Sequence, residues 1–217
     1  WVGTSTVRQG QPLLVYIHGG YWQRLSAAES LFNAADAATH GVSLHAVDYT
    51  LAPAATVEAI VDECVADVAR VIDAAGAPRV ALAGCSAGAH LAAMCAMSPV
   101  LAGRIHCAVL LSGIYDLRPL VRTSTNDPLG LDEARAAALS PQLLTMTGFA
   151  PHAVVAAGRH DPPEFIRQSA EFAERLRTAG VDTVHELVED RDHFDLPYDI
   201  LRSGTVVGDH VLGRLRA

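Results

Sequence analysis

Residues 80–94 read VALAGCSAGAHLAAM, a short apolar run that passes through Gly84-Cys85-Ser86-Ala87-Gly88 into an alanine-rich stretch. Residues 80–83 have the make-up of a buried strand and 87–97 that of a helix. A chain that reverses direction between them needs small residues, which accounts for the glycines and leaves the serine to be explained. The G-x-S-x-G pattern alone is a weak signal: with 17 glycines and 11 serines among 217 residues, chance yields it in roughly one such chain in fifteen. Its setting is the stronger signal, because a nucleophile elbow demands a strand before the serine and a helix after it. The glycines then permit a tight turn that lifts the hydroxyl above the strand end. The helix offers backbone N–H groups and a positive dipole end where an oxyanion forms. A helix N-cap serine is the competing reading of this segment taken alone.

A serine hydroxyl is a poor nucleophile unless an oriented base takes its proton. In a fold with this elbow the partners follow in the order acid then histidine, each just beyond a later strand. Residues 153–158 (AVVAAG) form such a strand, followed by Arg159, His160 and Asp161; residues 184–188 form another, followed by EDRDHFDLP with His193. Asp161 is the candidate acid and His193 the candidate base. Glu164, Asp190, Asp192 and Asp195 compete for the acid's place, although such carboxylates are more often solvated loop charges. His160 is expected to turn outward or cap its loop, and His90 to pack in the core. Upstream, YIHGGYW (16–22) ends a strand in two glycines, which bring backbone N–H groups close to a ligand with no Cβ in the way. Gly19, Gly20 and the N–H of Ala87 are the candidate oxyanion hole; an ordinary glycine turn is the alternative.

Apolar runs at 12–17, 42–47, 80–83, 106–111 and 153–157 read as buried strands, and the alternating run 181–188 reads as a sixth, nearer an edge. Helical spacing occupies 57–75, 87–97 and 163–179, the last stopping at Gly180, and a final helix runs from about Pro197 or Thr205 to Leu215. Strands alternating with helices predict an α/β fold, a mostly parallel central sheet with helices on both faces. One interval breaks the rhythm: 113–151 is polar, rich in proline and holds only a short helix around 132–139, which marks a small cap between two later strands.

The chain has 217 residues, half of them hydrophobic, enough for a single domain over 1–217 with a substantial core. A net charge of −8 with scattered basic residues argues against nucleic acid and anionic membranes as partners. No apolar stretch reaches the roughly 18 residues of a membrane span, and the first residues are not a signal peptide. Cys64, Cys85, Cys95 and Cys107 lack metal-ligand spacing and suit a reducing, cytoplasmic setting, with no metal or cofactor expected. Trp1 rather than methionine opens the chain, so its natural start is expected to lie upstream.

These motifs resemble the α/β-hydrolases of the hormone-sensitive-lipase-like branch, and within them the kynurenine formamidases (arylformamidases). The resembling segments are HGGYWQ (18–23), CSAGAHLAAM (85–94), LSGIYDLRPL (111–120), TSTNDPLGLDEA (123–134), SPQLL (140–144), GRHDPPEFIRQS (158–169) and DHFDLP (192–197). The elbow and triad are shared by the whole superfamily; HGGYW, SGIYDL and NDPL are narrower and carry the formamidase suggestion. The resemblance implies Ser86 as nucleophile, Asp161 as acid, His193 as base and no metal. The implied reaction is deformylation of N-formyl-L-kynurenine to kynurenine and formate in tryptophan degradation. Two departures matter. Cys85 stands where the family often has histidine, and only about a dozen residues precede the first strand, where relatives carry two further strands. Either those strands are absent or a sheet edge needs a covering partner, which leaves a homodimer open.

A carboxylesterase for short-chain acyl esters uses the same chemistry and is the second reading. A non-catalytic ligand receptor on the same fold is the third, and it predicts a degraded triad. For a small-molecule substrate with an aniline leaving group and an amino-acid tail, Tyr21, Trp22, Tyr115 and Phe194 are the candidate aromatic slot, unless they merely pack the core. Ser124, Thr125 and Asn126 are the candidate polar partners of the tail.

Overall fold

The structure, a computed structural model, describes residues 5–216. The apolar runs form β1 (Leu13–Ile17), β2 (Ser43–Val47), β3 (Val80–Cys85), β4 (Cys107–Leu111), β5 (His152–Gly158) and β6 (Asp182–Val188). They pair in parallel throughout, in the order β2-β1-β3-β4-β5-β6. Every residue of β1 to β4 is buried, which is why β1, β3 and β4 read as unbroken apolar runs; β2 buries the polar Ser43 and His45 as well. The alternating run is β6, and it is half-exposed at one edge. At the other edge β2 receives an antiparallel bridge between Ser5 and His45.

Helices α1 (Ala34–His40), α2 (Val57–Ala75), α3 (Ala87–Ala96), α4 (Glu133–Ala138), α5 (Pro163–Thr178) and α6 (Val206–Arg216) cover both faces. One core joins α2, α3 and α5 to the sheet through residues such as Ile60, Val68, Leu91 and Phe172. The other joins α1 and α6 through Ala37, Val207, Val211 and Leu215. Burial of α2 every third or fourth residue, the Thr56 side chain accepting from the Ala59 N–H, and Gly76 in the left-handed region explain where that helix lies and stops. The last helix begins at Val206; Leu196–Asp199 is a separate 3₁₀ turn, so of the two expected starts the later one holds. No helix among the described residues is long and apolar enough to cross a membrane.

The interval 113–151 connects β4 to β5 through α4 and three 3₁₀ turns. It is packed down, with Leu117, Leu129, Leu131, Ala136 and Leu139 in the larger core. Arg135 grips Glu58 of α2 with two hydrogen bonds of 2.8 Å, an interaction that holds the Glu58 carboxyl down at about 2. This connection is therefore ordered by burial on one side and leaves its polar residues free to face the strand ends.

Candidate active site

Ser86 ends β3 and begins α3 at φ 59°, ψ −124°, a backbone conformation that costs a non-glycine residue about 1–3 kcal/mol. The strain persists because the neighbours leave no alternative. The Ser86 N–H donates to the Leu111 carbonyl at 3.0 Å, continuing the β3–β4 ladder past the strand end. A Cβ on Gly88 would overlap the carbonyl oxygens of Ile17 and His18, so α3 seats against β1 only with glycine there. The two glycines of the motif thus set the packing distance, and the serine sits on the resulting elbow at the mouth of a cavity of about 690 Å³.

Beside it, β1 runs into His18-Gly19-Gly20. The Tyr49 hydroxyl donates to the carbonyls of both His18 (3.0 Å) and Gly19 (3.1 Å), and the His18 ring stacks on Tyr49 and donates Nδ1–H to the Gly19 carbonyl at 2.9 Å. Because a trans peptide sets its N–H opposite its C=O, fixing these carbonyls also fixes the N–H groups of Gly19 and Gly20. Among the described residues, those two N–H groups and that of Ala87 have no acceptor. An ideal Cβ on Gly19 would lie 3.2 Å from the Cβ of Ser86, which measures how closely this loop approaches the elbow. Three unpaired donors beside a strained serine hydroxyl make a site prepared for negative charge on oxygen.

Asp161 follows β5 and His193 follows β6. The Asp161 side chain is fully buried, its Oδ2 accepts from the Gly158 N–H at 3.3 Å, and it lies 3.9 Å from His193 Nδ1. That separation is an ion-pair contact longer than a hydrogen bond. Asp161 Oδ1 and His193 Nδ1 are both buried without a partner, so each retains hydrogen-bonding capacity at this contact. The two loops are tied together by His160 N–H donating to the Arg191 carbonyl at 3.1 Å, and Arg191 in turn clamps the buried Asp199 at 2.8 and 3.0 Å. Phe165 packs on the His193 ring at 4.4 Å between centroids. Cys85, whose thiol is pushed up by burial and then by the Asp161 charge, stays protonated and donates to the His193 carbonyl at 3.7 Å. Among the competitors, Asp192 and Asp195 accept backbone N–H groups of their own loop, Glu164 pairs with Arg167, and His160 is exposed.

Tyr21, Ser124, Thr125 and Phe194 line the cavity with Ser86, His193, Gly19 and Gly20. Three expected substrate contacts do not, and each has a physical reason. Trp22 is fully buried and packs edge-on against His90 at 5.0 Å. Tyr115 stacks on Phe172 of α5 at 4.1 Å. Asn126 spends its amide inside its own loop, donating to the Val121 and Leu131 carbonyls and accepting from the Leu131 N–H. In their place the wall carries Tyr16 of β1, Arg24, Glu29 and Phe32 of the segment after the glycine loop, and Tyr198 from near the C-terminus, which share no motif in the sequence.

A known family model, the alpha/beta hydrolase fold, matches this chain over residues 14–195. The chain belongs to that family. Within it the sequence groups with kynurenine formamidases: it is 37% identical to that of Danio rerio over 198 residues, covering 85% of this chain and 66% of the relative. It is also 37% identical to that of Salmo salar over 206 residues, covering 88% and 69% respectively. The chain thus spans about two thirds of the length of the curated relatives it matches. In shape this hydrolase-fold chain superposes on a Silicibacter protein described as a thioesterase with a TM-score of 0.82 at 25% identity, over 99% of this chain and 80% of the other.

His90, four residues beyond Ser86, is a core residue of this hydrolase fold. Its Nε2–H donates to the Leu139 carbonyl at 2.8 Å, and burial lowers its pKa to about 4. The unfolded chain therefore binds more protons between about pH 4 and 6.5, so this group's stabilisation is complete above 6.5 and is lost as pH falls towards 4. The full effect is about 3 kcal/mol. His18, lowered mainly by burial, acts in the same direction. Urea unfolding of His90→Gln should show a flatter pH dependence across this window than the wild type; equal slopes would mean that His90 does not titrate as a buried group.

Proposed function

We propose that this chain is a serine hydrolase that removes the formyl group of N-formyl-L-kynurenine, giving kynurenine and formate. The observation that carries this reading is the convergence of Ser86 and His193 with Gly19 and Gly20 at one cavity, the N–H groups of both glycines and of Ala87, the residue after the serine, being unpaired among the described residues. His193 takes the proton from the Ser86 hydroxyl as its oxygen attacks the formyl carbon, while Asp161 orients the ring and stabilises the imidazolium. The carbonyl oxygen becomes an oxyanion held by the three N–H groups. When the C–N bond breaks, His193 returns the proton to the aniline nitrogen and kynurenine leaves. Water, deprotonated by His193, then attacks the formyl ester, and Ser86 recovers its proton as formate departs. The 113–151 connection acts as the cap, supplying Ser124 and Thr125 to the wall. The chemistry needs no metal, membrane or nucleic acid, and the four free thiols suit the cytoplasm.

Short-chain carboxylesterase activity uses the same steps, and a cavity of about 690 Å³ has room for it. The two readings separate on an acyl series carried by one aryl leaving group. A formamidase turns over formyl best, and kcat/KM falls from formyl to acetyl to butyryl as each methylene is excluded, by about tenfold or more per step. A profile that peaks at butyryl makes this an esterase.

A further inference from the structure

The turn that follows the oxyanion loop is strained without being catalytic. Tyr21, Trp22 and Leu25 have φ of 52°, 61° and 70°, in the left-handed region that bulky residues avoid. The N–H groups of Gln23 and Arg24 close the turn on the Gly20 carbonyl at 3.0 and 3.1 Å. Trp22 anchors it inward, its carbonyl accepting from Ala52 N–H at 2.8 Å, and the Gln23 amide ties it across to the Thr125 carbonyl at 2.9 Å. What the turn presents outward is Arg24, with Glu29 a few residues on, and both lie on the cavity wall. Among the described residues Arg24 makes no ion pair, and the Glu29 carboxylate accepts only from the Ser26 hydroxyl at 3.2 Å. Two opposite charges therefore share one wall with no ion pair between them or to a third side chain among the described residues, Glu29 keeping its hydrogen bond from Ser26 and a longer-range pull on His18. Next to them Phe32 meets Tyr198 at 4.9 Å and Tyr16 at 5.3 Å, an aromatic surface on the same cavity.

We infer that residues 21–32, with Tyr198, form the recognition wall for a zwitterionic aromatic amino acid as leaving group. Phe32 and Tyr198 take the ring, Arg24 the α-carboxylate and Glu29 the α-ammonium. A chain of net charge −8 repels an anion, so the carboxylate needs a local cation, and the turn places one on the cavity wall. A zwitterion satisfies both charges without adding net charge. This assignment rests on the formamidase reading and names what that site selects.

The test compares kcat/KM for N-formyl-L-kynurenine with that for formanilide, which has the same scissile bond and no charged tail. In the wild type the charged substrate is preferred, and Arg24→Gln lowers that ratio by at least about tenfold, mainly through KM. Arg24→Lys, which keeps the charge, retains most of the preference, and Glu29→Gln lowers it in the same direction as Arg24→Gln. A smaller fall in Arg24→Gln, with formate still released from N-formyl-L-kynurenine, overturns the recognition wall and leaves the formamidase reading standing. Failure of the wild type to cleave either formamide while it cleaves aryl esters overturns both.

Discussion

Ser86→Ala is expected to lower kcat on N-formyl-L-kynurenine by about five orders of magnitude, to the residual rate that binding and an oxyanion hole sustain without a nucleophile. KM should change little, because the hydroxyl contributes chemistry and not grip. The fold should survive, since the side chain makes no capping hydrogen bond. Ser86→Gly sharpens the point. It relieves a φ of 59° and should raise stability by about 1 kcal/mol while abolishing turnover just as completely. A gain in stability with a loss of activity at one position is what a strained catalytic serine requires and a structural N-cap does not. Near-normal turnover by Ser86→Ala, with unchanged circular dichroism, would remove Ser86 from the chemistry.

Asp161→Asn is expected to cost about four orders of magnitude in kcat, because an amide facing His193 Nδ1 offers the wrong tautomer no penalty and the imidazolium no charge. The same change at Asp190, Asp192 or Asp195 should cost less than about tenfold. Asp192 and Asp195 receive backbone N–H groups through oxygens that asparagine keeps, and Asp190 is exposed. Kinetics of the four variants on one substrate decide the matter. Equal effects, or a larger loss at any of the three loop positions, would mean that another carboxylate orients the histidine.

The sheet was legible because burial on both faces turns β1, β3 and β4 into unbroken apolar runs, and the edge strand β6 betrayed itself by alternating. The elbow was legible because its glycines answer a local demand for space. Helix α1 was not: seven residues, four of them alanine, are too few to show a helical period, and only the Gly41 cap marks its end. The cavity wall was half legible. Tyr21 and Phe194 follow recognisable motifs directly, but Trp22 and Tyr115, equally close in sequence, turn into the core through contacts with His90 and Phe172 that lie far along the chain. Tyr16, Phe32 and Tyr198 meet only in three dimensions. Arg24 gave no signal because a lone arginine in a polar turn looks like an ordinary solvated charge, and only the fold puts it on the cavity wall.

Formate release from N-formyl-L-kynurenine, followed while Ser86 is titrated with a fluorophosphonate, bears most directly on whether this serine performs this reaction. The rate is expected to fall in proportion to the fraction of the Ser86 peptide labelled and to reach zero at one equivalent, with formate and kynurenine appearing in equal amounts throughout. Formate release that continues after Ser86 is fully labelled, or an untreated chain that cleaves butyryl esters and yields no formate, would contradict it.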